Sequence, residues 1–121
     1  MRYYIIIPAY NEETLISLTL QSLISQTVLP NKVIVVNDGS TDKTAEIISA
    51  FAKEYPFITL VNKTSEAIHI PGSKVIQAFH EGEKHIDENY DILVKIDSDL
   101  IFPSNYFETI IKHFESDDRI G

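Results

Sequence analysis

The chain has 121 residues, 44% hydrophobic and 23% charged, an ordinary globular mixture rather than a disordered one, enough for one compact domain and not comfortably two. Its formal charge of −8 is uneven: residues 1–80 carry six basic and seven acidic groups, residues 81–121 four and eleven, which argues against nucleic acid as a partner. With no cysteine there is neither a disulfide framework nor a thiolate site, so any metal must be held by oxygen or imidazole.

No apolar stretch approaches a membrane span, and Met1-Arg2-Tyr3-Tyr4 leads into a strand rather than a signal peptide. The expected compartment is the cytoplasm, compatible with peripheral association at the inner face of a membrane. Arg2 to Ile7 is a β-branched and aromatic run that Pro8 should halt, a buried first strand. Asn11 is placed to cap a helix beginning at Glu12-Glu13, two acids suited to its positive end. Ile16, Leu20, Leu23 and Ile24 share one face of that helix, which should close near Gln26-Thr27. After the turn Leu29-Pro30-Asn31, Lys32 to Val36 forms a second strand. Ser40 or Thr41 is expected to cap a helix with Ala45, Ile48 and Ala52 on one face, ending near Tyr55-Pro56.

Phe57 to Val61 is a short third strand, and Asn62 to Pro71 is the least regular segment, closed by Pro71-Gly72. Val75, Phe79 and Ile86 then fall at helical spacing from Ser73 onward, Ile92 to Ile96 is a fourth strand, and Phe107, Ile110, Ile111 and Phe114 form a helical stripe after Pro103. Glu81, Glu83, Asp87 and Glu88 read as a solvated helical surface, and Arg119-Ile120-Gly121 as the approach to another strand. The order β-α-β-α-β-α-β-α predicts an α/β fold: a three-layer α/β/α Rossmann-like sheet, mostly parallel, that continues beyond residue 121.

In such a sheet, ligands bind beyond the carboxyl ends of the strands. Three polar clusters belong on that edge: Pro8-Ala9-Tyr10-Asn11-Glu12, Asn37-Asp38-Gly39-Ser40-Thr41-Asp42 and Asp97-Ser98-Asp99. Each alone reads as a turn and helix cap; together they describe one nucleotide-binding face. Gly39 allows a tight turn that leaves Asp38 at the edge, where a carboxylate can accept a hydrogen bond from a base N–H. Asp97 and Asp99 suit a divalent cation held against a diphosphate, one carboxylate on the metal and its neighbour on a ribose hydroxyl or metal-bound water. Lys74, at a helix start, is either a phosphate or base contact or a plain surface lysine. His69, His80, His85 and His113 lack metal-ligand spacing, and there is no phosphate-binding G-x-x-x-x-G-K-[ST] loop.

These motifs, in this order, resemble the family 2 glycosyltransferases of the GT-A fold. Pro8, Tyr10, Asn11 and Glu12 match that family's P-x-Y-N-E segment; Asp38 to Asp42 match its D-D-G-S-T-D, with Asn37 in place of the first Asp; and Asp97 and Asp99 match its D-x-D. The resemblance implies that Pro8, Ala9, Tyr10, Glu12 and Asp38 line the base pocket, that Lys74 helps hold the nucleotide, that Asp97 lies near the ribose, and that Ser98 is among the substrate-binding residues. It also implies that Asp99, with Asp97, takes manganese or magnesium. Residues 1–121 would then be the nucleotide-sugar-binding part of an inverting enzyme, in a process such as polysaccharide biosynthesis, that moves a sugar from a UDP- or GDP-type donor to a glycan or lipid-linked acceptor. The acceptor part and the catalytic base would lie past Gly121, since Glu108, Glu115, Asp117 and Asp118 do not convincingly supply that base. A haloacid-dehalogenase-type phosphohydrolase fits poorly, because its D-x-D follows the first strand. A sugar nucleotidyltransferase would need a glycine-rich, basic first loop, and a non-catalytic scaffold that kept the fold is the remaining alternative.

Overall fold

The apolar run near the N-terminus forms β1 (Tyr3–Ala9), with Tyr3 through Ile7 all buried. A strand that is apolar on both faces needs cover on both. In a computed structural model that describes residues 1–63 and 73–116, apart from the side chains of 73–75, that cover comes from the elements that follow. They are α1 (Ile16–Ile24), β2 (Lys32–Asp38), α2 (Thr44–Glu54), β3 (Ile58–Lys63), α3 (Ser73–Glu83), β4 (Ile92–Lys95) and α4 (Tyr106–Ser116). The expected order holds throughout. The described strands are all parallel, in the order β3-β2-β1-β4. Parallel pairing puts every described strand end on one edge. Of the irregular segment expected from Asn62 to Pro71, Asn62 and Lys63 belong to β3; the rest of it, with His69 and the Pro71-Gly72 turn, and residues 117–121 lie outside the described residues.

Alternation along the strands divides the interior into two layers. Tyr3, Ile5, Ile7, Val33 and Val35 face α1, α2 and α4 through Ile16, Leu20, Leu23, Ile48, Phe107 and Ile111. The Tyr3 and Phe107 rings stack with centroids 4.9 Å apart, joining β1 to the last helix. Ile6, Ile34, Val36 and Val61 face the other way, against Ala78 and Phe79 of α3. Gly82 sets how close α3 can come: a Cβ there would sit 2.7 Å from Ile6 Cγ2 and 3.2 Å from Val36 Cγ2.

Pro8 does not halt β1 as expected; the strand runs through it to Ala9. Proline is excluded from a central strand because it lacks a ladder donor. Here the carbonyl of Ile6 accepts from Ile96 N at 3.1 Å, and Pro8, two residues on, faces the same side. Pairing between β1 and β4 has already ended at Ile6↔Lys95, so no partner carbonyl awaits the missing N–H. Similarly, β2 extends past Val36 to Asp38, so Asn37 and Asp38 are strand residues rather than loop.

At the opposite, amino edge, Asp87 is exposed, as read from the sequence, but not on a helix. It lies after α3 and accepts from the Tyr4 hydroxyl, from Asn89 N at 2.9 Å and from Lys32 Nζ at 3.0 Å. Arg2 adds Nε to Asn89 O at 2.7 Å and its own N–H to Asp91 at 2.7 Å. This clasp ties the α3–β4 connection to β1 and β2. The Tyr4 hydroxyl above all, then Asn89 N and Lys32, hold the Asp87 carboxyl well below the usual carboxylate range.

Candidate functional site

Because β1 and β2 are neighbours, the loops that leave them run side by side, and several of their polar groups serve the neighbouring loop rather than their own helix. Asn11 does not cap a helix at Glu12. It takes a left-handed conformation (φ 50°), and its Oδ1 accepts from Thr41 N at 2.8 Å. Helix α1 begins later, at Ile16, without a side-chain cap. Ser40 Oγ in turn accepts from Asn11 N at 3.0 Å, so neither Ser40 nor Thr41 caps α2, which starts at Thr44. Further cross-links run from Glu12 N to Thr44 Oγ1 at 2.8 Å, from Glu13 N to Asp42 Oδ2 at 3.3 Å, and from Lys43 N to Glu13 Oε2 at 3.1 Å. Burial pushes the Asp42 carboxyl up, but hydrogen bonds from Thr44 Oγ1, Thr44 N and Glu13 N outweigh it and hold the group below its ordinary value. The two loops therefore form one braced platform.

Above that platform a cavity of about 360 Å³ opens at the carboxyl edge, lined by Pro8, Ala9, Tyr10, Glu12, Asp38, Ala78, Asp97, Ser98 and Asp99. Every site residue expected from the sequence is there except Lys74, which lies in the first turn of α3 with its side chain outside the described residues. Ala78 is the lining residue that sequence reasoning missed. It is small, apolar and 1% exposed, so nothing but its helix register could have pointed to it.

Asp38 ends β2 opposite Lys63 of β3, with the Lys63 ammonium 3.6 Å from its Oδ1. The residue is only 4% exposed, and among the described residues that oxygen has no hydrogen-bond partner. A buried carboxylate oxygen with spare capacity can take an N–H from a ligand at little extra desolvation cost. Asn37, where the resembled motif has Asp, is also buried: its amide donates to Asn62 Oδ1 at 2.9 Å and its Oδ1 accepts from Ser40 N at 3.2 Å. It therefore shapes the turn and does not open into the cavity.

Past the end of β4, Asp97 and Asp99 are exposed while Ser98 between them is buried. This alternation puts both carboxylates on the open side of one short segment. Asp97 lies 3.6 Å from Lys95 Nζ, an exposed pair of small energetic weight. Glu12 faces the same space, and its carboxyl is raised above the ordinary value by burial first and then by the charge of Asp99, against a hydrogen bond from Ser98. Among the described residues no three His, Cys, Asp or Glu side chains form a metal site by themselves. Two outward carboxylates fit magnesium or manganese only as partial ligands, with phosphate oxygens and water completing the shell, which is the habit of magnesium.

Residues 4–121 match the family described as Glycosyl transferase family 2. The chain is 31% identical over 119 residues to the dolichyl-phosphate beta-glucosyltransferase ALG5A of Trichomonas vaginalis, covering 84% of this chain and 36% of that protein. It is 30% identical over 114 residues to the uncharacterized glycosyltransferase YibD of Escherichia coli, covering 94% of this chain and 30% of that one. Its fold is similar to that of S. aureus TarS 1–349 in complex with UDP (TM-score 0.73, 24% identity, 96% of this chain and 32% of that one). It is also similar to the mannosyltransferase PcManGT of Pyrobaculum calidifontis in complex with GDP-Man and Mn2+ (TM-score 0.68, 29% identity, 84% of this chain and 28% of that one).

Proposed function

The chain belongs to glycosyl transferase family 2, and we propose that it forms the donor-binding part of an enzyme that moves a sugar from a nucleoside diphosphate sugar to an acceptor hydroxyl. The observation that carries this reading is convergence: Pro8, Asp38 and Asp99, from three different strand ends, line one cavity of about 360 Å³. UDP and GDP-Man in the TarS and PcManGT structures support a nucleotide-sugar ligand. Similarity to a poly-beta-1,6-N-acetyl-D-glucosamine synthase of Staphylococcus epidermidis, 28% identical over 118 residues, supports a glycan as one class of acceptor.

In this reading Asp38 accepts an N–H from the base edge, and the Pro8–Tyr10 segment forms the wall beside it. Asp97 contacts the ribose, Ser98 lines the floor, and Asp99, with Asp97 as its neighbour, holds the metal end of the diphosphate. Lys74 belongs to the nucleotide contacts by its position at the start of α3. Asp97 and Asp99 would hold a divalent cation, Mn2+ or Mg2+, whose positive charge would stabilise the departing diphosphate. The residues of the chain hold the donor so that an acceptor hydroxyl can attack the anomeric carbon in line and invert it. In this proposal the base for that hydroxyl lies past Gly121; on α4, Glu108 pairs with Lys112 at 3.5 Å. Among the described residues no helix is long and apolar enough to cross a membrane, and a cytoplasmic position, at or near a membrane face, is part of the proposal.

Calorimetric titration with UDP and with GDP, each with Mn2+, is expected to give saturable binding that Asp99→Ala weakens at least about tenfold. Absence of binding to either nucleotide contradicts the donor-site reading. Unchanged binding in Asp99→Ala contradicts the metal assignment.

A further inference from the structure

We propose that Thr19, on α1, is a positioning residue that sets the direction of the Asp97–Asp99 carboxylates through the backbone carbonyl of Ser98. The inference rests on the donor-site reading above and adds a residue that does not touch the ligand.

Thr19 is fully buried, on the helix face it shares with Ile16, Leu20 and Leu23. A hydroxyl there is costly unless it is bonded. Its Oγ1 donates to Ser98 O at 2.9 Å, across 79 positions of sequence. The sheet gives residues 97–102 no comparable hold: β4 ends at Lys95 and its last described link is Ile96 N to Ile6 O. Among the described residues, the Thr19 bond is the one long-range hydrogen bond to the backbone of 97–102, where Ser98 and Asp99 form a turn and the Ser98 side chain also bonds to the Glu12 carboxylate. The next anchors come several residues later, where Gln26 Nε2 donates to Pro103 O at 2.6 Å and Phe107 N donates to Gln26 Oε1 at 3.1 Å.

The carbonyl of Ser98 belongs to the rigid peptide plane that joins Ser98 to Asp99. Fixing that oxygen fixes the plane, and with it the direction in which the Asp99 side chain leaves the backbone. A ligand pair held this way binds without first paying the entropy of ordering itself. The plain alternative is a core hydroxyl that has merely found an acceptor. That role would lower stability when removed but would not single out the diphosphate end of the ligand.

The test compares Thr19→Val, which keeps the shape and removes the donor, with Thr19→Ser, which keeps the hydroxyl. Affinity is measured for UDP with Mn2+ and for uridine, or for GDP with Mn2+ and guanosine, whichever pair the parent chain binds. Thr19→Val should weaken the diphosphate–Mn2+ complex about tenfold, while nucleoside affinity stays within about twofold and Thr19→Ser restores both. Equal weakening of both ligands, or no change in either, overturns the proposal. Amide hydrogen exchange of Ser98 to Leu100 provides a readout independent of any ligand. It should be about tenfold faster in Thr19→Val than in Thr19→Ser, with β1 unchanged, and equal rates overturn the inference. If the parent chain binds no nucleotide, the donor-site reading fails, and exchange alone decides whether Thr19 positions the segment. Should Thr19→Val fail to fold, Thr19→Ala takes its place with the same criteria.

Discussion

The two edges of the same sheet treat their carboxylates in opposite ways. At the amino edge, Asp87 is satisfied by a tyrosine hydroxyl, a backbone N–H and a lysine, and its pKa is driven down by those partners. At the carboxyl edge Glu12, Asp38, Asp97 and Asp99 converge on one cavity, and Glu12 is pushed up by burial and by Asp99. Asp38 keeps an oxygen without a hydrogen bond among the described residues. One edge spends its charges on holding the chain together; the other gathers four carboxylates on one cavity, with Lys63 3.6 Å from Asp38 and Lys95 3.6 Å from Asp97, and leaves Asp38 Oδ1 able to accept from a ligand. Such unsatisfied polar groups lower stability and are the expected signature of a binding site.

Three substitutions bear on this contrast, in descending order of effect. Asp38→Ala should reduce nucleotide affinity about a hundredfold, the worth of a hydrogen bond to a charged group, and should also lower Tm, because it removes the carboxylate 3.6 Å from the Lys63 ammonium. Calorimetry beside thermal melting checks it, and a large fall in Tm at unchanged affinity would reverse the roles of the edges. Gly82→Ala acts on the joint between core and site. Its new Cβ would press on Ile6 Cγ2 at 2.7 Å, an overpacking that costs about 1–3 kcal/mol. Because Ala78, one turn along α3, lines the cavity, chemical denaturation and nucleotide titration should both register this change.

The smallest effect belongs to the amino edge. Asp87 has a depressed pKa in the folded chain, so its contribution to stability is present above the unfolded value of about 4 and is lost as pH falls below it. Asp87→Asn should therefore lower Tm near neutral pH, flatten the acid limb of the stability profile below about pH 4, and leave nucleotide affinity unchanged. A Tm-against-pH series for both proteins tests the sign; parallel curves would remove Asp87 from the clasp.

Much of this arrangement was legible in the sequence because apolar runs and turn residues report the element order directly. β1 reads as buried on both faces from Ile5-Ile6-Ile7 alone, and a parallel sheet then places Pro8, Asp38 and Asp97 on one edge. What the sequence hid were contacts between segments far apart in the chain. Asn11 and Ser40 look like caps for the helices that follow them, yet they bind each other's loops, because strand order rather than sequence distance decides their neighbours. Pro8 looks like a strand terminator, and only the early end of β4 makes it harmless in place. Asp87 looks like helix surface until Tyr4 and Lys32 are brought beside it. Thr19 left a readable trace, a polar residue on an otherwise apolar helix face, whereas Ala78 left only its helix register.

The contrast between the edges is tested most directly by following backbone amide resonances of the chain during titration with UDP or GDP and Mg2+. Shifts should concentrate at residues 9–12, 38 and 97–99, with Arg2, Tyr4, Lys32 and Asp87 unmoved. Shifts centred on the amino edge, or none at either edge with either nucleotide, would contradict the assignment of the carboxyl edge as the donor site.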